Sequence, residues 1–176
     1  MSSKHNDLTV PVQGGLLTIR VGAIIMKEGK FLMVGNRCEE YLYSVGGRIK
    51  FSESSQEAVC REVYEETGSH MQIDRLGFVH ENFFSGDSAS KGGKLIQEIS
   101  FYYYMKTPVG FEPVCNSFSE DGTKEYLVWI DANERRRFFP EFFREELKCP
   151  SREPKHLVTR DFPTSILSRD GVTPIG

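Results

Sequence analysis

Three acids within five residues, Glu62, Glu65 and Glu66, occupy a segment whose pattern is helical. At 3.6 residues per turn they share an arc of about 100° on one helix face. Carboxylates gathered in this way can hold a hard divalent cation through oxygen, or one of them can move a proton. The same run also fits a solvated acidic face, the usual explanation of like charges in sequence. Like charges at i, i+4 each cost a few tenths of a kcal/mol, and acids near a helix C-terminus oppose its dipole by about 0.3–1 kcal/mol. Arg61, adjacent to Glu65 on the wheel, or a bound cation would offset that cost.

The local signals place this acid face on a well-bounded helix. Ser54-Ser55-Gln56-Glu57 fits a capping box with Ser54 as N-cap and Glu57 at the third helical position, and Gly68 suits the left-handed residue just past the end. Val59, Val63, Thr67 and Cys60 form an adjoining stripe that can pack on a sheet. Upstream, Leu16 to Met26 and Lys30 to Val34 read as strands joined at Lys27-Glu28-Gly29, and Tyr41 to Val45 as a third strand running into Gly46-Gly47. Downstream, Gln72 to Phe84 and Leu95 to Met105 are apolar stretches joined by Ser85 to Lys94, a small, polar, glycine-rich loop candidate. Glu125 to Ile130 is a last strand. Asp131 is expected to cap a helix through ANERRRFF, with Pro140 opening another through PEFFREEL.

Gly47, Glu53 and then Arg61-Glu62-Val63-Tyr64-Glu65-Glu66-Thr67-Gly68, at these spacings, closely resemble the Nudix box. Seven fixed positions at about 6% each, over roughly 150 starting points, give a chance match below about one in a million. One position departs: Ser69 stands where the family pattern has an aliphatic residue, a matter of packing at the helix exit rather than of chemistry. The resemblance implies an α/β fold, the Nudix α/β/α sandwich with a mixed β-sheet and a loop-helix-loop catalytic motif. It implies a hydrolase dependent on Mg²⁺ or Mn²⁺ that cleaves the pyrophosphate bond of a nucleoside diphosphate linked to another group, with water as nucleophile. By the same likeness, Glu62, Glu65, Glu66 and the main-chain carbonyl of Gly46 are the metal ligands. Gly47, Glu53, Arg61 and Gly68 support the site, with Glu53 and Arg61 as the pair that orients helix and loop.

Two acids are candidates for the general base, because relatives recruit either a box glutamate or an acid from a downstream loop or strand. Glu62 is the one within the box. Glu98 is the downstream one, an acid among apolar residues in LIQEISFYYYM, with Gln97 on the opposite face. The alternative for Glu98 is the solvent face of an alternating strand. Arg48 and Lys50, two apart after Gly47, are candidates for contact with substrate phosphates; solvation is the other reading. Lys91 and Lys94 would be substrate contacts if the glycine-rich loop closes. Phe83, Phe84, Tyr102, Tyr104 and Trp129 would stack a base, though aromatics at strand spacing more often build core. The four histidines lack ligand spacing to one another.

Composition narrows the function classes. The chain has 176 residues with 22 Lys plus Arg against 25 Asp plus Glu, a formal net charge of -3, and no dense basic block. A nucleic-acid duplex and an anionic membrane are therefore not expected partners; a small-molecule nucleotide is. The apolar runs fall short of the ~20 residues of a membrane span, and the start MSSKHNDLT has no signal-peptide core, so a cytoplasmic location is expected. Cys38, Cys60, Cys115 and Cys149 lie far apart and read as reduced thiols. The length fits one domain over 1–176, with a polar arm at 1–10 and a mostly irregular tail at 149–176. Many relatives are homodimers, so a homodimer is one assembly the resemblance implies. A nucleotide-sensing domain without turnover is the alternative function, although such a domain has no physical need of converging carboxylates.

Overall fold

The computed structural model describes residues 6–86, 94–115, 118 and 122–161. Its elements run in the order β1 (Thr9–Val12), β2 (Gly15–Ile24), β3 (Met26–Lys27), β4 (Lys30–Asn36), β5 (Tyr41–Ser44), β6 (Gly46–Arg48), α1 (Ser55–Thr67), β7 (Gln72–Ser85), β8 (Leu95–Lys106), β9 (Glu125–Ile130), β10 (Arg137–Phe139), α2 (Phe143–Glu146) and β11 (Lys155–Asp161). They form two mixed sheets. One is ordered β1-β2-β8-β7-β11, with β6 also paired to β2; the other is ordered β10-β5-β4-β3, with β9 also paired to β4.

Period-two alternation of apolar residues buries both faces of these sheets. On one face Val21, Ala23, Leu32, Val34 and Tyr103 pack with Ala58, Val59 and Val63 of α1. On the other, Ile24, Phe31, Met33, Phe78 and Tyr104 pack with Phe138, Phe143 and Leu147. This is the expected α/β/α sandwich with mixed sheets, but its second helical layer is reduced to the single turn of α2. Val59 and Val63 are fully buried. At about 1.5–3 kcal/mol for each such side chain, their burial outweighs the like-charge cost on the neighbouring acid face.

Caps fall where the local signals put them. Ser54 Oγ accepts the Glu57 N–H, the Glu57 side chain accepts the Ser54 N–H, and Gly68 ends α1 in the left-handed conformation. Pairings that depend on distant residues differ from expectation. Leu16 to Met26 does not fold back on Lys30 to Val34 as one hairpin: only β3 pairs with β4, while β2 runs parallel to β8 in the other sheet. The helix expected over ANERRRFF is absent. Asp131 Oδ1 accepts the Asn133 N–H at 2.7 Å in a turn, and Arg137–Phe139 forms β10, parallel to β5. As a strand, β10 buries Phe138 in the core while Phe139 meets the Tyr41 ring at 5.3 Å, and that packing overrides the helix propensity of the preceding residues. The helix opened at Pro140 contracts to α2.

Within the tail, Lys155–Asp161 pairs with β7 in parallel, and residues 162–176 lie outside the described ones. The polar arm joins the fold through Asp7, bridged to Lys50, and through β1. Among the described residues, no helix is long and apolar enough to cross a membrane.

Candidate active site

The β5 to β6 turn and the acidic face of α1 meet at Gly46 and Gly47. A Cβ on Gly47 would lie 2.5 Å from the Glu62 carboxyl, so only glycine lets that carboxylate rest against the turn. Gly46 has φ 144°, and a Cβ there would lie 2.2 Å from the Val21 carbonyl oxygen. Its N–H donates to Glu66 Oε2 at 3.2 Å, tying the turn to the helix.

Arg61 holds this arrangement from the other side. Its Nε and Nη2 donate to the two oxygens of Glu53, both at 2.8 Å, a bidentate pair. Nη2 also donates to the Arg48 carbonyl at 3.1 Å, and Nη1 to Glu62 Oε1 at 2.6 Å and Glu65 Oε2 at 3.0 Å. The Lys50 N–H donates to Glu53 Oε2 at 3.0 Å, so one carboxylate braces both the loop and the arginine. The Arg61 guanidinium, with the Lys50 N–H, holds the Glu53 carboxyl below the usual carboxylate range.

The three box acids differ in their surroundings. Glu66 is 8% exposed, and among the described residues it has no ion-pair partner. Burial, then the charges of Glu62 and Glu125, push its pKa well above the ordinary 4.5. Burial also raises Glu62. Glu65 is half exposed and faces Arg61 and Lys50, the latter with Nζ 4.0 Å from Glu65 Oε1. Glu65 thus has two cations beside it, one of which, Arg61, is shared with Glu62. Among the described residues, no group of three or more His, Cys, Asp or Glu side chains is arranged to hold an ion. Buried Glu66 and Glu62, whose side chain is 13% exposed, stand one helical turn apart beside a glycine turn. Their oxygens are a hard-cation donor set, and their mutual repulsion is what a divalent cation would relieve; Mg²⁺ in particular takes one or two carboxylates and completes its shell with water and phosphate. The pair fits such an ion.

Glu98 stands on β8. Its Oε2 is 3.8 Å from Arg20 Nε, and its Oε1 accepts the Ser100 hydroxyl at 3.0 Å. Arg48 Nη1 is 3.7 Å from Asp7 Oδ2. Of the aromatic candidates, Tyr102 and Tyr104 are core, Trp129 packs against it, and Arg160 lies over the Phe83 ring at 4.1 Å. Gly86 N–H donates to the Lys94 carbonyl at 3.0 Å at the base of the glycine-rich loop; residues 87–93, Lys91 among them, lie outside the described ones.

Two charged residues escaped the sequence reading. Arg20 stands on β2; burial opposes its charge, but Glu98, Tyr102, Glu62 and Glu66 together leave its pKa raised. Glu125, at the start of β9, is buried, acts on Glu66 electrostatically and accepts the Tyr43 hydroxyl. A lone charge inside an apolar strand, the feature that singled out Glu98, marks Arg20 equally.

A glycine turn, a capped acidic helix and a glutamate–arginine brace on a two-faced mixed sheet define the Nudix class of α/β proteins. Residues 16–146 match the family model described as the NUDIX domain, and the chain belongs to that family. A MutT-like protein from Streptomyces ambofaciens is 29% identical over 72 residues, 40% of this chain and 47% of that protein, so the match spans about half the length of this curated relative. Among solved structures, the mutator MutT protein of Bacillus halodurans has a TM-score of 0.55 at 19% identity, covering 79% of this chain and 89% of that one. A UDP-X diphosphatase gives 0.54 at 16%, covering 80% and 66%. An ADP-ribose pyrophosphatase from Streptococcus suis gives 0.53 at 16%, covering 79% and 98%. These likenesses show the fold.

Proposed function

We propose that the protein is a hydrolase dependent on a divalent metal, Mg²⁺ or Mn²⁺, that cleaves the pyrophosphate bond of a nucleoside diphosphate carrying a further group. The observation that carries this reading is the mutually repelling pair of Glu62, mostly buried, and Glu66, buried, beside the Gly46-Gly47 turn. The solved structures of similar fold that are titled a UDP-X diphosphatase and an ADP-ribose pyrophosphatase support the substrate class.

In this reading Glu62 and Glu66 hold the cation, with Glu65 and the Gly46 carbonyl as further ligands. When bound, the ion would neutralise the diphosphate and activate the attacking water. Arg61 fixes the Glu62 carboxylate through Oε1 and leaves Oε2 as the oxygen that accepts the proton of the attacking water. Glu62 rests against the Gly47 turn one helical turn from Glu66, which favours it over Glu98, the other candidate base, for that role. Arg48 and Lys50 flank the turn as candidate phosphate contacts.

The test is phosphate or pyrophosphate release from nucleoside triphosphates, ADP-ribose, nucleotide sugars and dinucleoside polyphosphates, with Mg²⁺, with Mn²⁺ and with EDTA. Release from at least one class, abolished by EDTA, is expected. Tight metal-dependent binding of a nucleotide with no turnover of any class would overturn the enzyme reading in favour of a sensor.

A further inference from the structure

Arg20 and Arg48 are directly opposed in the antiparallel pairing of β2 with β6. Like charges so placed repel, and each has a carboxylate beside it at long range, Asp7 at 3.7 Å from Arg48 and Glu98 at 3.8 Å from Arg20. Both side chains line one cavity of about 50 Å³, with Thr18, Phe84, Ile96 and Glu98 among its other walls. Water needs about 10–15 Å³ on this measure, so the cavity has room for a small polar group and none for a ring system. Thr18 and Arg20 face it by the two-residue period of β2, as Ile96 and Glu98 do from β8.

The carboxylate that meets Arg20 does so loosely. At 3.8 Å the Glu98 oxygen lies beyond the 2.7–2.9 Å of a charge-assisted hydrogen bond, and the Arg20 side chain stays one third exposed. The cavity is also tied to the acid pair. Arg48 follows the Gly46-Gly47 turn, its carbonyl accepts from Arg61, and the charges of Glu62 and Glu66 act on Arg20.

We propose that Arg20, with Arg48 beside it, is an anion clamp that takes a phosphoryl group of the substrate, and that Glu98 is the positioning residue that holds Arg20 over the cavity until that group displaces it. Two guanidinium forks and the Thr18 hydroxyl suit a tetrahedral anion with several acceptor oxygens better than they suit a single carboxylate. This rests on the hydrolase reading for the identity of the anion, and the clamp itself can be measured without turnover.

The experiment titrates the full chain, metal-free and in low salt, with inorganic pyrophosphate, following arginine Nε–Hε signals by NMR. Saturable shifts at Arg20 are expected, and Arg20→Met should weaken pyrophosphate at least about tenfold, the scale of one lost charge-assisted hydrogen bond. Arg20→Lys, which keeps the charge and loses the fork, should weaken it several-fold and serves if the methionine variant does not fold. Glu98→Gln should tighten binding, and that gain should vanish in the Arg20→Met background; a gain that persists would show Glu98 acting without Arg20 and overturn its positioning role. Pyrophosphate affinity unchanged in both Arg20 variants would overturn the clamp. With a hydrolysed nucleotide, Arg20→Met should raise KM by a factor similar to its effect on pyrophosphate, with kcat changed less. An unchanged KM would assign the clamp to free phosphate and overturn its role in substrate binding. Loss of turnover with intact pyrophosphate shifts would count against the hydrolase reading alone.

Discussion

Glu66→Gln should lower metal-dependent kcat/KM by about 10²–10³-fold, the scale of a lost electrostatic anchor at a reacting centre, while leaving the fold intact. The same substitution should stabilise the metal-free protein. Glu66 is buried with Glu62 and Glu125 as its electrostatic neighbours, and its carboxyl is held well above the ordinary 4.5. A group whose folded pKa is raised contributes stability that is fully present below its unfolded pKa and is lost as pH rises through the folded one. The Tm of the metal-free wild type should therefore decline from about pH 4.5 upward relative to Glu66→Gln. At pH 8 the variant should melt about 2–4 °C higher, the equivalent of roughly 1 kcal/mol in a chain of this size. Mg²⁺ should recover the wild-type deficit by binding the folded state and should do little for the variant. Thermal melts across pH, with and without Mg²⁺, check both halves. A variant as active as the wild type would remove Glu66 from the site.

Arg61→Ala should act in the opposite sense on stability. It removes the partner of Glu53 and one contact of Glu62, both mostly buried, at a cost of about 2–4 kcal/mol, somewhat less than for a fully buried pair. Arg61 also donates to the Arg48 carbonyl, so the turn that abuts Glu62 loses its tether and turnover should fall with stability. The pH signature separates this from a general loss of packing. Glu53 is depressed in the folded state, so its contribution is present above its unfolded pKa and disappears as pH falls through the lower, folded one. Denaturant unfolding of the wild type should weaken across that acid range, and the same acid loss should be missing in Arg61→Ala. An Arg61→Ala protein that keeps the acid loss would show that Glu53 is stabilised by something else.

Much of this arrangement was legible in the sequence because it is local. Ser54, Glu57 and Gly68 bound α1 through contacts within four residues, and Glu53, Arg61, Glu62 and Glu66 keep their spacing on one loop and one helix. Features that depend on distant partners were not. ANERRRFF has ordinary helix formers, yet Phe138 finds a buried place against β5 residues nearly a hundred positions earlier. Leu16 to Met26 has a turn behind it that suits a hairpin, but β2 pairs over its whole length with β8. Arg61 beside Glu65 is a local i,i+4 contact that the helical wheel already places, whereas Lys50 reaches Glu65 only through the loop that Glu53 braces. Arg20 and Glu125 belong to no spaced motif, and their part follows from sheet register alone.

The central claim is that Glu62 and Glu66 together make one divalent-cation site. Titration of Mn²⁺ into the protein, followed by electron paramagnetic resonance, tests it most directly. Glu57 lies on the same helix within the N-terminal cap and serves as the control acid. Wild type and Glu57→Gln should bind Mn²⁺ alike, and Glu62→Gln and Glu66→Gln should each bind it at least about tenfold more weakly, the loss expected from one charged ligand. Mn²⁺ affinity unchanged in both Glu62→Gln and Glu66→Gln would contradict the claim.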